Sequence, residues 1–310
     1  MSGVEIIKVK SVDDGMRLNR WFLKYYPALT LGRLQKLLRT KQIKVNGTRA
    51  EAGLKLAADD EVRVPPLNLE AAEEQRGRQL SPRDVEMMVK MVIYKDDHII
   101  VLNKPSGLAV QGGTNTTRHI DGMLEALQFE MEENPRLVHR IDKDTSGLLV
   151  LARTRKDAEL LTQAFRERDL HKTYLALVRG CPKPLSGQIK ARLEKNGEKS
   201  IISEDGKTAL TDYRVLDRAG EKYALVEACP QTGRTHQIRA HLESIGCPII
   251  GDDKYFGGER CKLNNLADKL FLHAYKIDLS GLYNKKMVIT APLPAHFRQA
   301  FNQLGIEFKE

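Results

Sequence analysis

The residues best suited to chemistry lie in the segment LVHRIDKDTSGLLVLA, residues 137–152, where charged side chains precede a long apolar run. Asp142 and Asp144 stand between a His-Arg pair and a Thr-Ser-Gly turn. A carboxylate in such a place can act as a nucleophile or stabilise positive charge, and a nearby arginine can hold an anionic substrate. The segment therefore predicts a reactive carboxylate presented by a turn at the start of a buried strand.

Three other interpretations of these aspartates compete on the residues alone. Asp-Thr-Gly is the turn of aspartic proteases, but Ser146 interrupts it here, and that mechanism needs a second carboxylate facing the first. Asp-x-Asp could bind a divalent metal together with histidines, although no three-ligand spacing is present. Asp142 could also simply cap the turn and pair with Arg140. The histidines considered as metal ligands are His139, His171, His236 and His241.

The whole segment closely resembles the signature of the Rlu-type pseudouridine synthases, which isomerise uridine in structured RNA. Three further segments follow in the order of that family: VLNKPSGLAVQGG, HKTYLALVRG and PQTGRTHQIRAHLESIGCPIIGDDKYFG. LNKPSGLAVQGG is most similar to the branch that acts on large-subunit ribosomal RNA. The resemblance implies uridine isomerisation in that RNA. It also implies an α+β fold whose catalytic domain has a mixed, mainly antiparallel sheet flanked by helices.

The resemblance also implies roles for individual residues. Asp142, the first aspartate after His-Arg-Ile, is expected to be catalytic. Arg239 of HQIR is expected to pair with it, and Arg234 of TGRTH is the nearby rival. Tyr174 of KTYLAL is expected to stack on the flipped uracil and to serve as a late general base. Arg140 is expected to brace the position that the flipped base vacates and to bind phosphate.

Pseudouridine formation needs no cofactor, so we expect neither a cofactor nor a metal. The reaction breaks the C1′–N1 bond, rotates the uracil and joins its C5 to C1′, so nothing is oxidised and no group is imported. An ionised carboxylate can attack as a nucleophile or stabilise the charge that develops as the bond breaks. One carboxylate suffices, because the uracil oxygens can carry the leaving charge.

The N-terminal residues predict a second, smaller domain. Apolar residues in MRLNRWFLKYYP recur with the spacing of one helical face, and Pro27 is expected to end that helix. Thr30 can cap a second helix, LGRLQKLLRTK, and QIKVNG predicts a short strand and turn. This order resembles the αL RNA-binding module first described in a ribosomal small-subunit protein. The cations expected to contact RNA phosphates are Arg33, Lys36, Arg39 and Lys41.

The position of the charge supports an RNA partner. The chain has 310 residues, a net charge of +9 and a pI near 9.3. Residues 15–65 contain eleven Lys/Arg against four Asp/Glu, and residues 15–50 contain no acidic residue. We therefore expect a basic RNA-binding domain over 1–66, a flexible linker over 67–85 and a catalytic domain over 86–310.

Composition narrows the remaining possibilities. No apolar run is long enough to span a bilayer, the N-terminus lacks the apolar core of a secretory signal, and the four cysteines are widely spaced. We expect a cytoplasmic protein with no membrane contact, no obligate protein partner and, from the family, a monomer. Two alternative functions stay open: the same chemistry on transfer RNA, and a non-catalytic RNA-binding factor for ribosome assembly.

Overall fold

The computed structural model shows two compact units, residues 1–81 and 82–310. A helix begins at Pro82, so the last four residues of the predicted linker are helical and the predicted domain boundary at residue 86 lies inside this helix. Within the described residues, no helix is long and apolar enough to cross a membrane. The structure describes residues 3–26, 29, 31–67, 80–112, 116, 118–167, 170–256, 269–283 and 285–309.

The first unit combines two helices with a four-stranded antiparallel sheet of order β1-β4-β2-β3. The predicted helix-helix-strand order is present. The elements are β1 (Glu5–Lys8), a 3-10 turn (Ser11–Asp13), α1 (Leu18–Tyr25), α2 (Leu31–Arg39), β2 (Lys44–Val45), β3 (Thr48–Arg49) and β4 (Glu61–Val64).

The core of this unit follows the helical spacing of apolar residues. Trp21 and Phe22 of α1 are buried in one apolar cluster with Leu34, Leu37 and Leu38 of α2. Tyr26 is buried as well, whereas Tyr25 is only half-buried and its hydroxyl donates a hydrogen bond to buried Asp13 at 2.5 Å. The predicted roles of Pro27 and Thr30, and most of the predicted linker, lie outside the described residues.

The second unit is a large mixed sheet with helices packed on it. Its core cluster lies between the central strands and the C-terminal helix. The elements are α3 (Pro82–Lys90), β5 (Val92–Lys95), β6 (Ile99–Lys104), a 3-10 helix (Ile120–Leu127), β7 (Arg136–Leu137), β8 (Ser146–Ala152), α4 (Arg155–Glu167), β9 (His171–Arg179), β10 (Ser186–Asn196), β11 (Lys199–Ile202), β12 (Lys207–Ala219), β13 (Tyr223–Pro230), α5 (Gln237–Ser244), β14 (Leu272–Asp278), β15 (Val288–Thr290) and α6 (Ala295–Leu304).

The strand order is β11-β10-β12-β13-β9-β14-β8-β6-β5, with β15 on β14 and β7 on β8. Among the described strand pairs, β14 with β8 is the parallel one, and the others are antiparallel. This confirms the predicted mixed, mainly antiparallel sheet. The apolar run SGLLVLA is β8, and all seven of its residues are buried, as expected for a strand covered on both faces.

Strand β14 joins the two strands that carry the predicted chemistry. Ala274 of β14 is opposite Gly147 of β8 on one side and opposite Tyr174 of β9 on the other. The approach to β8 is close. A β-carbon at position 147 would lie 2.2 Å from the Ala274 carbonyl oxygen, and Gly147 has a φ of +103°. Glycine is therefore required here for both conformation and space.

Gly147→Ala should destabilise the second unit by about 3 kcal/mol or more, because it adds backbone strain and a steric clash. Gly220→Ala is the matched control, since Gly220 also has a positive φ of +60° but nothing lies within 4 Å of its added β-carbon. Circular dichroism during urea unfolding is the appropriate measurement, because the single tryptophan, Trp21, reports only the first unit. Equal losses in the two variants would contradict the packing argument.

Candidate active site

Asp142 lies in the loop between β7 and β8, and a histidine of the same loop fixes the conformation of this segment. His139 Nε2 accepts a hydrogen bond from the Val150 backbone N–H at 2.8 Å, and its ring stacks on Phe165 of α4 at 4.2 Å. Burial and the charge of Lys172 lower the pKa of His139 to about 3, so the ring is neutral and can accept this bond. His139 is thus a structural support for the loop.

A buried lysine ties the Asp142 loop to the NKPSG turn. Lys104, at the end of β6, is fully buried, and its Nζ donates to the carbonyl oxygens of Pro105, Leu108 and Lys143 at 2.8–2.9 Å. Burial lowers the pKa of Lys104 to about 7, although Asp144 and Asp142 act in the opposite direction. Lys104 therefore links the NKPSG turn to the backbone of Lys143, which is the residue next to Asp142 and lies 39 residues further along the chain than Lys104.

The Asp142 carboxylate faces a cationic group and a histidine through one of its oxygens. Oδ2 lies 3.7 Å from Arg239 Nη1 and 3.8 Å from His236 Nε2. Neither distance is that of a direct hydrogen bond. The side chain keeps 27% of its surface exposed, so the carboxylate is held by these neighbours and remains accessible.

Arg239 makes its hydrogen bonds to a different aspartate. Its Nε and Nη2 donate to the two carboxylate oxygens of Asp252, each at 2.7 Å, and its guanidinium lies 5.1 Å from the centre of the Tyr255 ring. Both members of this pair are almost completely buried. Although burial opposes the charge, the hydrogen bonds to Asp252 raise the pKa of Arg239. The guanidinium therefore stays charged and presents its remaining nitrogen, Nη1, to Asp142.

The structure separates the two arginines that the sequence left as rivals. Arg239 projects from α5 towards Asp142, whereas Arg234 donates from Nε to the Thr208 carbonyl oxygen at 3.3 Å. Both line the same cavity, but Arg239 is the nearer partner of Asp142. The sequence predicted that Arg239 pairs with Asp142. In the structure Arg239 makes its two hydrogen bonds to Asp252, and its contact with Asp142 is longer, at 3.7 Å.

Tyr174 of β9 lines the same cavity as Asp142. Burial and the negative charge of Asp142 raise the pKa of the Tyr174 hydroxyl above its ordinary value. The phenol is therefore protonated in the free protein. Its ring offers a flat surface for stacking, and its hydroxyl can receive a proton only as it passes its own onward.

The cavity has a volume of about 710 Å³ and a basic lining. Arg140 is exposed on the loop that carries Asp142, and Glu198 and Lys254 form an ion pair of 2.9 Å beside the cavity. A lining in which Lys and Arg outnumber the acidic residues suits a polyanionic substrate. The Lys/Arg residues of the lining are Arg140, Lys143, Lys172, Lys195, Arg234, Arg239 and Lys254; its acidic residues are Asp142 and Glu198.

The four cations predicted to contact RNA in the first unit lie on or beside α2. Lys36 and Arg39 are exposed, Arg33 is half-buried, and Lys41 is exposed in a left-handed turn after the helix. Leu34, Leu37 and Leu38 are buried, so the helix separates an apolar face from a basic one as its spacing predicts. Arg33 also has a further polar or ionic partner.

Sequence reasoning missed three side chains that shape the site. Asp252 and Tyr255 lie in GDDKYFG, a segment used only as a mark of resemblance, and His236 was considered only as a metal ligand. The GDDKYFG segment carried a signal, since an aspartate next to a tight glycine turn can reach a neighbouring helix. Within the described residues, no three His, Cys, Asp or Glu side chains gather as a metal ion requires.

Comparisons with known proteins match most of the chain. The family described as RNA pseudouridylate synthase matches residues 98–244. A "Ribosomal large subunit pseudouridine synthase C" of Vibrio cholerae is 37% identical over 310 residues, covering 97% of both chains. The Rickettsia bellii protein of the same name is 38% identical, covering 91% of this chain and 96% of its own.

A solved structure, "Human RNA Pseudouridylate Synthase Domain Containing 4", superimposes with a TM-score of 0.62 at 28% identity. It covers 73% of this chain and 97% of its own. The relatives and the fold therefore agree with each other.

Asp252→Asn should destabilise the second unit by about 3 kcal/mol, because it leaves the buried Arg239 guanidinium without its charged partner. Asp253→Asn is the matched control: it makes the same charge change one residue away, but the Asp253 carboxylate is 46% exposed and 3.9 Å from Arg239. That control should cost less than about 1 kcal/mol. Urea unfolding followed by circular dichroism measures both, and similar costs would show that the Arg239–Asp252 pair does not stabilise the fold.

Proposed function

The chain belongs to the RNA pseudouridylate synthase family, and from this premise we propose that its substrate is a uridine of large-subunit ribosomal RNA. It is an isomerase that converts uridine to pseudouridine. The names of its relatives support the ribosomal substrate, as does the resemblance of LNKPSGLAVQGG to the same branch. The proposal places the reaction in the cytoplasm.

One observation carries this proposal: the Asp142 carboxylate is partly exposed, faces Arg239 and lies in a basic cavity. Cations around the cavity can bind the phosphates on either side of a flipped nucleotide. The buried guanidinium can hold the carboxylate in position while substrate excludes water. This combination suits a reaction at a sugar carbon of RNA.

We assign the catalytic role to Asp142. Once a uridine is extruded, its carboxylate can attack the reacting carbon or stabilise the positive charge that develops as the C1′–N1 bond breaks. The Arg239 contact to Oδ2 holds the carboxylate in position. The uracil leaves with its negative charge spread over its own oxygens, rotates, and is joined through C5.

Tyr174 and Arg140 have supporting roles in this proposal. The Tyr174 ring stacks on the uracil, and its hydroxyl takes part in the transfer of the C5 proton. Because its raised pKa keeps the phenol protonated, it must pass one proton on as it receives another. Arg140 is exposed on the loop two residues before Asp142, where a planar guanidinium can fill the vacated stack and bind phosphate.

We further propose that the first unit is an αL RNA-binding module. The helix-helix-strand order and the exposed cations of α2 support this. Contacts from such a face to phosphates would add affinity and position the RNA without reading its sequence. The alignments with the relatives extend over more than nine-tenths of the whole chain, so they include residues of the first unit.

Asp142→Asn should abolish pseudouridine formation while RNA affinity stays within a few fold, because the substitution is nearly isosteric but removes the charged oxygen. Asp144→Asn, the control in the same loop, should keep activity within about tenfold. Ribosomal RNA from cells that lack the protein, incubated with each variant, provides the substrate, and pseudouridine mapping provides the readout. Product formation by Asp142→Asn would refute the proposed role.

Replacing Lys36 and Arg39 together by glutamine should weaken RNA binding and reduce the slope of log affinity against log salt by about two. The matched control replaces Lys90 and Arg155 by glutamine. These are two exposed cations of the second unit, and each forms an ion pair with a glutamate of its own helix. It should leave the slope unchanged. Fluorescence anisotropy at several salt concentrations measures both. An unaltered slope in the first variant would contradict RNA docking through α2.

A further inference from the structure

His236 has a backbone conformation that histidine seldom adopts. It precedes α5 with φ of 52° and ψ of 23°, in the left-handed region. Such a conformation costs of order 1 kcal/mol for a residue with a β-carbon, and it persists where surrounding contacts impose it. Strained residues of this kind occur often at functional sites, so the contacts around His236 are informative.

The loop before His236 is fixed by a buried glutamine. Gln237 Oε1 accepts hydrogen bonds from the Thr232 hydroxyl at 2.6 Å and the Arg234 backbone N–H at 3.1 Å. Its Nε2 donates to the Leu210 carbonyl oxygen at 2.8 Å. The Ser200 hydroxyl donates to the Thr235 carbonyl oxygen at 2.7 Å. The direction of the His236 side chain is therefore set by the protein and does not depend on substrate.

A hydrogen bond to Tyr255 holds the ring of His236. The Tyr255 hydroxyl accepts from the Ser200 backbone N–H at 2.6 Å and lies 3.1 Å from both the Ser200 carbonyl oxygen and His236 Nδ1. This contact occupies Nδ1 in either tautomer of the ring and leaves Nε2 to bind a second group. Burial lowers the pKa of His236.

The second ring nitrogen of His236 lies beside the reactive carboxylate. Nε2 is 3.8 Å from Asp142 Oδ2, which is longer than a direct hydrogen bond. In the proposed reaction the ribose C1′ must approach Asp142, and the carbon next to C1′ carries the 2′-hydroxyl. This hydroxyl can both donate and accept a hydrogen bond, and the approach of C1′ to Asp142 brings it close to Nε2.

We propose that His236 binds the 2′-hydroxyl of the flipped uridine through a hydrogen bond at Nε2, so that the site selects ribose over deoxyribose. This inference rests on the proposed function and adds a sugar-recognition residue to it. Hydrogen bonds at the hydroxyl next to the reacting carbon strengthen as positive charge develops there. The 2′-hydroxyl is also the group by which a protein distinguishes RNA from DNA at one site.

The test compares two substrates and two proteins under single-turnover conditions. One RNA carries uridine at the modified position, and the other carries 2′-deoxyuridine there. The variant is His236→Asn, because asparagine tolerates the left-handed conformation but is too short to reach the sugar. Wild type should convert the ribose substrate faster. The variant should lower this ribose-to-deoxyribose rate ratio by about tenfold, chiefly by slowing the ribose substrate.

Two controls separate recognition from a general disturbance. A 2′-deoxy group at the nucleotide 5′ to the target should not distinguish wild type from variant. Tyr255→Phe removes the hydroxyl that holds the His236 ring through Nδ1 but keeps the ring beside Arg239, and it should lower the same ratio by a smaller factor. If His236→Asn slows both substrates equally, the proposal is wrong and His236 only supports the site. If wild type forms no pseudouridine in any RNA, the proposed function itself fails.

Discussion

The Arg239–Asp252 pair is the interaction on which the rest of the site depends. Two short hydrogen bonds hold a buried guanidinium at one edge, and only its Nη1 remains to face Asp142. Asp252 also accepts backbone N–H bonds from Lys254 and Tyr255, so one carboxylate fixes both α5 and the turn that follows it. The reactive carboxylate then meets a charge whose position is already determined.

This arrangement divides the work between two aspartates. Asp252 is buried and accepts the two hydrogen bonds that hold Arg239, while Asp142 stays partly exposed and available to substrate. A direct bidentate bond from Arg239 to Asp142 would occupy the oxygens that the reaction needs. Distances of 3.7 and 3.8 Å to Arg239 and His236 leave the carboxylate oriented but not fully neutralised.

The sequence predicted what depends on local pattern or on one long signature. Helices α1 and α2 follow from apolar spacing, β8 from a continuous apolar run, and Asp142, Tyr174 and Arg239 from resemblance. All three line one cavity, and their roles remain proposals. The roles of Asp252 and Tyr255 could not be predicted, because they depend on contacts between segments far apart in the chain. The conformation of His236 depends on Gln237 and Ser200 in the same way.

The place of β14 in the sheet has a consequence for biosynthesis. Asp142 precedes β8 and Tyr174 lies in β9, yet these two strands are not neighbours: Ala274 of β14 lies between them and pairs with both. Residues 272–278 follow both strands in the chain, and contacts this distant in sequence form late. During translation, the site is therefore incomplete until β14 has been synthesised and has paired with β8 and β9.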